Sequence, residues 1–352
     1  MDPCVIDLLR HLNSEFYRRC APSFSSTRQA PWEGWLACLP YLREACRDGE
    51  SSADGGSASS RDRGASAGGC STSGRDRETS ARGCDGGACG RALDLVDVAC
   101  GNGRFEAFVS EELAGVDVHA AAVDDCDALM ADARGSGATF ARFDALAALV
   151  GGLPWREGIR RALASPCDGS GSPPRAAAPS PGPAASPSEQ APPPCAGPSP
   201  GPSSPSRGAG FDAAVSFGFL HHVPSRALRE RALAELIGLV RPGGIVVVSL
   251  WRFLEDDRLA RKAERSHAEA LAALAPLAGR RCGVDLAAEL EEGDRFLGWQ
   301  DATGLWRYCH SFDEDEVDRL AAAVADGAEE AARFRSDGKT GRLNTYLIFR
   351  KH

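Results

Sequence analysis

The stretch Leu93-Asp94-Leu95-Val96-Asp97-Val98-Ala99-Cys100-Gly101-Asn102-Gly103 joins an apolar strand to a glycine-rich turn. Glycine lets the backbone pass close beneath a ligand, and the N-terminus of a helix that follows such a turn favours negative charge. A helix is predicted from about Phe105. The same turn also occurs as a plain connection between a strand and a helix, so its meaning depends on the rest of the chain.

Strand and helix patterns alternate on both sides of this turn. Further strands are predicted at Val118–Val123, Ala138–Phe143, Phe211–Phe217 and Ile245–Leu250, and helices at 4–21, from about Ala128 and across 228–240. Nearer the end of the chain, Asp313-x-x-Glu316 predicts a helix start, and Asp337-Gly338-Lys339 predicts a hairpin turn. Five parallel strands closed by an antiparallel hairpin predict an α/β, Rossmann-like, doubly wound seven-stranded sheet. That layout is typical of class I methyltransferases rather than of NAD dehydrogenases.

Two low-complexity segments interrupt the pattern, and we predict that both are disordered insertions. The first, 48–90, is rich in Gly, Ser, Asp and Arg, and the second, 165–210, is rich in Pro, Ser and Gly. Neither carries enough apolar surface to offset the entropy of ordering. The predicted divisions are an N-terminal helical lid segment (1–47), the two halves of the catalytic domain (91–164 and 211–352), and a substrate-facing insertion (254–310) inside the second half.

Composition limits the classes of protein that need to be considered. The 352 residues are 43% hydrophobic, but they contain neither an apolar run long enough for a membrane span nor a signal-peptide pattern, so a cytoplasmic location without membrane association is expected. The net charge of −9 argues against binding polyanions with the whole surface. Thirteen cysteines occur without a single Cys-x-x-Cys pair, which predicts no metal site and reduced thiols in a cytosol.

Acidic residues follow the predicted strands where a nucleoside cofactor would need them. Asp124 ends the second strand, where a carboxylate accepts hydrogen bonds from both ribose hydroxyls, and Asp144 follows the third strand, where it would meet an adenine amino group. We assign to the cofactor site the acids, the loop residues and the residue that ends the fourth strand: Asp97, Ala99, Gly101, Asn102, Gly103, Asp124, Asp144 and Phe217.

Several further motifs resemble those of a known family. Leu220-His221-His222 and Leu239-Val240-Arg241-Pro242-Gly243-Gly244 resemble the "LHH" and "L-x-PGG" elements of class I S-adenosylmethionine-dependent methyltransferases. Phe24–Trp32 resembles the "FS-x-TR-x-x-PWP" segment of the tRNA wobble-uridine carboxymethyl methyltransferases, and Gly293–Trp299 with Arg307–Phe312 resembles their "GD-x-x-VPW … RYYHLF" segment. The order is the same throughout, but Ala99, Glu33, Gly298 and Cys309 depart from the family pattern.

The resemblance implies S-adenosylmethionine as cofactor and methylation of a carboxymethyl group on uridine 34 of tRNA. A carboxylate is already ionised at neutral pH, so the reaction needs a cation that holds the acid rather than a general base. By this resemblance we assign substrate recognition to Arg307, Tyr308, His310 and Arg28. Eukaryotic relatives work with a small zinc-binding activator subunit, which is therefore a candidate partner beside tRNA.

Alternatives remain open from the sequence. Arg28 and Trp32 fit either substrate recognition or a lid that packs over the cofactor. His221 and His222 fit either a catalytic role or a loop-packing role. Arg258, Arg261, Lys262 and Arg265 recur at helical spacing and fit either a phosphate-facing stripe or a solvated face paired with Glu255 and Glu264. The second functional hypothesis is a methyltransferase that acts on a small metabolite or natural product, and a third is a binding module without catalysis.

Overall fold

The structure, a computed structural model, describes residues 1–48, 91–133, 137–164, 210–300 and 302–352. The helices in these ranges are α1 (Pro3–Ser26), α2 (Glu33–Ala45), α3 (Arg104–Glu112), α4 (Asp127–Met130), α5 (Ala145–Gly151), α6 (Trp155–Ala164), α7 (Arg226–Leu239), α8 (Asp257–Cys282), α9 (Leu286–Glu289) and α10 (Glu314–Ala323). The strands are β1 (Arg47–Asp48), β2 (Arg91–Val98), β3 (Val116–Asp124), β4 (Thr139–Arg142), β5 (Phe211–Phe217), β6 (Val240–Trp251), β7 (Asp294–Gly298), β8 (Trp306–His310), β9 (Ala328–Ser336) and β10 (Asn344–Lys351).

The central sheet has the predicted topology. Its seven main strands run in the order β4-β3-β2-β5-β6-β10-β9, and the two-residue β1 adds to one end of β2. The first five are parallel, whereas β10 is antiparallel to both β6 and β9. The predicted Rossmann-like class I methyltransferase fold is therefore confirmed. The order reverses between β2 and β5, and in such sheets ligands bind beyond the carboxyl ends of the strands at that point.

Helices cover both faces of the sheet, and the strand β2 sends apolar side chains to each face. Leu93 and Leu95 face a cluster with α2 and α3, whereas Val96 and Val98 face a cluster with α5, α6, α7 and α10. Parallel strands buried on both faces need such apolar runs. Packing on both faces of the sheet therefore fixes the position of β2, and the loop after β2 begins at this fixed point in the centre of the sheet.

A third cluster joins the N-terminal helix to the hairpin of β7 and β8. Val5 and Leu9 of α1 pack with Ala270 and Leu274 of α8 and with Phe296 of β7. Asp2 caps α1 by accepting a hydrogen bond from the Cys4 N–H (2.7 Å), and Pro3 occupies the first turn, where its missing N–H costs nothing. This packing holds α1 across the end of the sheet that carries the glycine-rich loop.

One element boundary differs in detail from the sequence prediction, and another agrees with it. The sequence predicts a break at 241–244 before a strand from Ile245, but β6 already begins at Val240, because Val240 pairs with Phe211 ahead of a register shift. Asp313 caps α10 as predicted and accepts from the Glu316 N–H (2.7 Å). The Glu316 carboxylate pairs with His310 and Arg229.

The expectation of reduced thiols throughout is wrong for one pair of cysteines. Cys4 in the first turn of α1 and Cys282 at the end of α8 form a disulfide, with their Cα atoms 5.6 Å apart. Six other described cysteines are free thiols: Cys20, Cys38, Cys46, Cys100, Cys126 and Cys309. The spacing of Cys4 and Cys282 gave no signal, since 278 positions separate them.

Helices in the described part of the chain are too short or too polar to cross a membrane. The two predicted insertions, 48–90 and 165–210, lie almost entirely outside the described residues, which include only Asp48 and Gly210 from them.

Candidate active site

One cavity of about 710 Å³ lies beyond the carboxyl ends of the parallel strands. Its first part, here called the cofactor half, is lined by the loop after β2 and by Asp124, Phe143, Asp144 and Phe217. Its second part, the acceptor half, is lined by α1 and by Phe24, Arg28, His221, Trp251 and Arg307. All eight residues assigned to the cofactor site except Gly103 line this cavity.

The loop after β2 is held in left-handed backbone conformations. Ala99, Gly101 and Gly103 have φ of 65°, 60° and 70°. The N–H groups of Ala99 and Cys100 donate to the Val123 carbonyl oxygen (2.8 and 3.1 Å). Two reasons require glycine at position 103. Its φ lies in the left-handed region, and a Cβ there would lie 2.4 Å from the Ala133 Cβ. Gly103 therefore shapes the loop from behind rather than touching a ligand.

Asp124 is bound to the same loop through its side chain. Its Oδ2 accepts from the Gly101 N–H (2.9 Å), and its Oδ1 accepts from the Cys126 N–H (2.8 Å). Burial raises the pKa of this carboxyl to about 6, although the N–H groups of Cys126 and Gly101 act in the opposite direction. Asp124 thus fixes the loop and presents a carboxylate to the cavity.

Asp144 also has a structural role beside its place in the lining. It caps α5 by accepting from the Ala147 N–H (2.7 Å), and it accepts from Arg10 Nη1 (2.9 Å). The cofactor half is therefore closed on this side by a charged contact from α1. Carboxylate oxygens have further lone pairs, so these two contacts leave Asp144 able to accept from an amino group.

Aromatic side chains form the wall opposite these acids. Phe217 lies with its ring centroid 4.7 Å from that of Phe105 and 5.6 Å from that of Trp35. Trp32 packs on Trp35 (5.5 Å) and contacts Phe217 (6.5 Å). Trp32 thus packs against the aromatic side chains at the cofactor half.

Arg307 is the central feature of the acceptor half. Its residue is 5% exposed, and no carboxylate of the described residues lies within ion-pair distance of it. The guanidinium donates from Nη1 to the Tyr17 hydroxyl (3.0 Å), whereas Nε has no hydrogen-bond partner. Its Cζ lies 5.1–5.9 Å from the ring centroids of five aromatic residues: Phe16, Tyr17, Phe24, Trp251 and Trp299. A buried cation without an anion is costly unless a ligand supplies one.

Arg28 brings a second cation to the same rings. Its Cζ lies 3.6 Å from the Phe24 ring centroid and 4.9 Å from that of Trp299, and it too has no carboxylate partner among the described residues. Burial and the charge of Arg307 lower the pKa of Arg28 to about 10, so it remains protonated at neutral pH. Two guanidinium groups therefore flank one aromatic surface without a compensating negative charge.

A chain of hydrogen bonds fixes the position of Arg307. His222 Nε2 accepts from the Tyr17 hydroxyl (2.7 Å), and His222 Nδ1 donates to the Tyr308 carbonyl oxygen (2.8 Å). Burial and the charge of Arg307 lower the pKa of His222 to about 3, which keeps the imidazole neutral. Asn13 completes the support, since its Oδ1 accepts from the Tyr308 N–H (2.7 Å).

The 24–32 segment is tethered to the cofactor loop by two side chains. Asn102 Nδ2 donates to the Arg28 carbonyl oxygen (3.1 Å), and Arg104 Nη1 donates to the Ala30 carbonyl oxygen (2.7 Å). The loop that lies under the cofactor half therefore also carries the segment that presents Arg28. Asn102, assigned to the cofactor site, thereby links the two halves of the cavity.

Tyr308 and His310 do not reach the cavity, which corrects their assignment to substrate contact. Both side chains are buried on the opposite side of β8, where the Tyr308 hydroxyl and His310 Nδ1 bind Asp294 Oδ1 (2.6 and 2.7 Å). His310 Nε2 contacts Glu316 Oε2 (2.5 Å), and Arg229 Nη2 donates to Glu316 Oε1 (2.6 Å). Alternation along β8 explains the separation, because Arg307 and Tyr308 are neighbours and must point to opposite faces.

Among the described residues, two groups of side chains have donor atoms close enough to hold a metal ion: His221, His222 and Cys309, and Glu291, Asp294 and His310. In the first, both nitrogens of His222 are already hydrogen-bonded, and burial raises the pKa of the Cys309 thiol to about 11. The adjacent Arg307 also disfavours a cation. In the second, the His310 nitrogens are both bound to carboxylates. Neither arrangement favours a metal over the contacts present.

Comparison with known proteins gives short sequence matches. A tRNA (carboxymethyluridine(34)-5-O)-methyltransferase of Arabidopsis thaliana is 39% identical over 46 residues, which are 13% of this chain and 11% of that protein. A probable tRNA methyltransferase 9B of Mus musculus is 35% identical over 54 residues, 15% of this chain and 12% of that protein. The matches thus span about a ninth of the relatives' length. No family model matches the chain.

Solved structures give longer but more distant matches. An S-adenosylmethionine-dependent methyltransferase from Methanosarcina mazei is 14% identical, with 74% of this chain and 92% of that chain covered and a TM-score of 0.42. DhpI in its complex with SAM and HEP is 14% identical over 97% of each chain, with a TM-score of 0.44. The chain resembles S-adenosylmethionine-dependent methyltransferases. At these identities and TM-scores, the substrates of those proteins say nothing about the substrate of this chain.

Sequence reasoning missed the residues that support the acceptor half. Asn13 and Tyr17 looked like ordinary positions of an amphipathic helix, and their partners lie 295 and 205 positions away along the chain. The only signal was that both are polar or amphipathic residues beside the apolar stripe of α1. A contact with a distant loop histidine could not be inferred from that signal.

Proposed function

We propose that the chain is an S-adenosylmethionine-dependent methyltransferase that esterifies a carboxylate of a modified wobble uridine in tRNA. The observation that carries this proposal is the pair of cations, Arg307 and Arg28, which have no carboxylate partner in the described part of the chain and share a cavity with the cofactor loop. An anionic acceptor would supply the missing negative charge. The short matches to tRNA methyltransferases support the same substrate.

The residues of the cofactor half fit the proposed cofactor. The glycine-rich loop lets the backbone pass close under a ligand, and Asp124 presents a carboxylate at the place where ribose hydroxyls would donate. Asp97 Oδ1 is buried and receives no hydrogen bond from the described residues, which suits a cationic amino group. When bound, the cofactor supplies a methyl group activated on a sulfonium.

The chain's own residues would hold the acceptor for in-line attack. A carboxylate oxygen is the nucleophile, so no proton has to be removed and no base is required. Arg307 and Arg28 would hold the acid by charge-assisted hydrogen bonds, and Tyr17 and His222 would keep Arg307 in place. His222 serves in this scheme as a neutral acceptor, in accord with its lowered pKa.

An exposed basic stripe on α8 supports a polyanionic substrate. Arg258, Arg261, Lys262 and Arg265 are exposed and form no ion pair with the described carboxylates. Glu255 instead pairs with Arg252 and Arg335, and Glu264 pairs with Arg295. The acids expected from the sequence to neutralise the stripe are therefore engaged elsewhere, and the stripe is available to phosphates.

The test is methyl transfer to tRNA that carries 5-carboxymethyluridine at the wobble position. Arg307→Met removes the charge and keeps a long side chain, and we expect it to lower kcat/KM about 100-fold. Arg19→Met is the matched control, because Arg19 lies on α1, is exposed and does not line the cavity. The stability of Arg307→Met should not fall, since the variant removes a buried uncompensated charge.

A methyltransferase for a small acid is the second candidate, favoured by the apolar lining that Phe24 and Trp251 give to the acceptor half. It would transfer methyl to a free carboxylic acid with little dependence on salt, whereas binding of tRNA should weaken steeply as ionic strength rises. Because the resemblance implies a small zinc-binding activator subunit, the tRNA assay is run with and without that subunit. Unchanged activity in Arg307→Met, or no transfer to either class of acid, would contradict the carboxylate proposal.

A further inference from the structure

The wall of the cofactor half contains a pair of buried carboxyl groups that no described side chain neutralises. Asp97, at the end of β2, is 2% exposed, and Glu106, in the first turn of α3, is fully buried. In the part of the chain that the structure describes, no hydrogen-bond partner is recorded for Asp97 Oδ1 or for either Glu106 carboxyl oxygen. Asp97 lines the cavity, whereas Glu106 lies behind it.

These groups face each other, and the described side chains that act most strongly on them are acids. Asp124, at the end of β3, and the Cys100 thiol, in the loop, are the other titratable groups that act on the pair. Two carboxylates that face each other in a buried site cannot both be ionised at low cost, so a proton must lie between them in the free protein. Burial and the neighbouring Glu106 raise the pKa of Asp97 well above its usual value.

Burial also raises the pKa of Glu106 to about 7, although the backbone N–H at the start of α3 acts against it. The pair, which holds two protons at lower pH, therefore loses one of them near neutral pH. Below that range it is uncharged, and above it the pair carries one negative charge. A cation placed against Asp97 would bind the charged form and would release the second proton into solvent.

We propose that Asp97 and Glu106 act as one proton-sharing unit that recognises the ammonium group at the amino-acid end of the cofactor. Asp97 is the group that meets the ammonium, and Glu106 is a positioning residue that supplies the negative charge through the shared proton. This inference rests on the proposed function, since it assumes an aminoacyl nucleoside in the cofactor half. It adds a residue that the cofactor motif does not contain.

The proposal predicts a pH dependence that belongs to the amino-acid end alone. S-Adenosylhomocysteine should bind about tenfold more weakly near pH 6 than near pH 8, because the pair must be ionised to hold the ammonium. Its binding near pH 6 should release close to one proton. 5′-Methylthioadenosine, which has the nucleoside and the thioether but no amino acid, should show neither effect beyond the smaller change due to Asp124.

Isothermal titration in two buffers of different ionisation enthalpy measures both quantities. Glu106→Gln keeps the size of the side chain but cannot ionise, so it should abolish the proton release and the difference between the two ligands. Glu106→Asp should retain both in part. Glu111→Gln, an exposed position on the same helix, is the matched control and should behave as the unaltered protein.

The outcomes separate this inference from the proposed function. If S-adenosylhomocysteine binds with the same pH dependence in Glu106→Gln, or if 5′-methylthioadenosine shares that dependence, the role of the pair is wrong while the cofactor assignment stands. If neither ligand binds the unaltered protein at any pH, the proposed function itself is contradicted. If Glu106→Gln does not fold, Glu106→Asp carries the test through its shifted pH profile.

Discussion

Ala99 occupies a backbone conformation that glycine normally takes. Its φ of 65° lies in the left-handed region, which costs an L-residue with a side chain about 1 kcal/mol. The motif that this loop resembles has glycine at this position, so the strain follows from the one residue at which the loop departs from that pattern. The rest of the loop compensates, because the Ala99 N–H still donates to Val123.

We therefore expect Ala99→Gly to raise the free energy of unfolding by about 0.5 kcal/mol, after the greater freedom of glycine in the unfolded chain is subtracted. Urea denaturation measures the change. Ala268→Gly is the control, because Ala268 is exposed within α8 and glycine there should lower stability by about 1 kcal/mol. Equal losses in the two variants would show that the conformation of Ala99 is not strained.

Among the elements, α10 is held to the hairpin of β7 and β8 by buried charges. Glu316 accepts from Arg229 and contacts His310, and these partners lower its pKa to about 2 against the effect of burial. Arg229 is fully buried. Removing Glu316 leaves the buried Arg229 with Glu291 as its remaining acid and His310 with Asp294, and such a loss costs more than the pair itself is worth.

Glu316→Gln should accordingly lower the free energy of unfolding by about 3 kcal/mol at neutral pH. Glu314→Gln is the matched control on the same helix. Glu314 also pairs with arginines, Arg252 and Arg333, but its side chain is 56% exposed, so its loss should cost less than about 1 kcal/mol. Similar losses in the two variants would show that burial does not strengthen the Glu316 contacts.

The sequence predicted this region only in part, for a physical reason. Asp313 was recognised as a helix cap because the cap is a local feature with a fixed spacing. Arg229 carried no prediction, since nothing nearby in the sequence marks the acid 87 positions away. Tyr308 and His310 were grouped with Arg307 by their motif, although alternation along a strand separates them. Local patterns in the sequence thus predicted helices and strands well, but they did not predict ion pairs between residues far apart in the chain.

Over the whole molecule, strand order and the cofactor loop followed from the sequence because each depends on short, repeated signals. The disulfide between Cys4 and Cys282 did not, and it closes a loop that spans 278 positions of the chain. In the chain-entropy description, a cross-link over so long a loop stabilises the folded state by about 5.6 kcal/mol. It joins the start of α1 to the end of α8 behind the acceptor half.

Reduction should therefore lower the melting temperature of the unaltered protein. Cys4→Ser should melt at the lower temperature with or without dithiothreitol, because it lacks the cross-link in both conditions. Calorimetry of the two proteins, each with and without reductant, measures the difference. A drop of equal size in Cys4→Ser would assign the effect of the reductant to other thiols.

The tether between the cofactor loop and the 24–32 segment has a thermodynamic consequence. Asn102 and Arg104 bind the backbone carbonyls of Arg28 and Ala30, so any ligand that orders the loop also orders the segment that carries the second cation. Linkage then requires reciprocity: the factor by which cofactor strengthens the binding of an acid equals the factor by which the acid strengthens the binding of cofactor. We therefore expect cofactor and acid to bind cooperatively, so that neither affinity is a fixed property of its own half of the cavity.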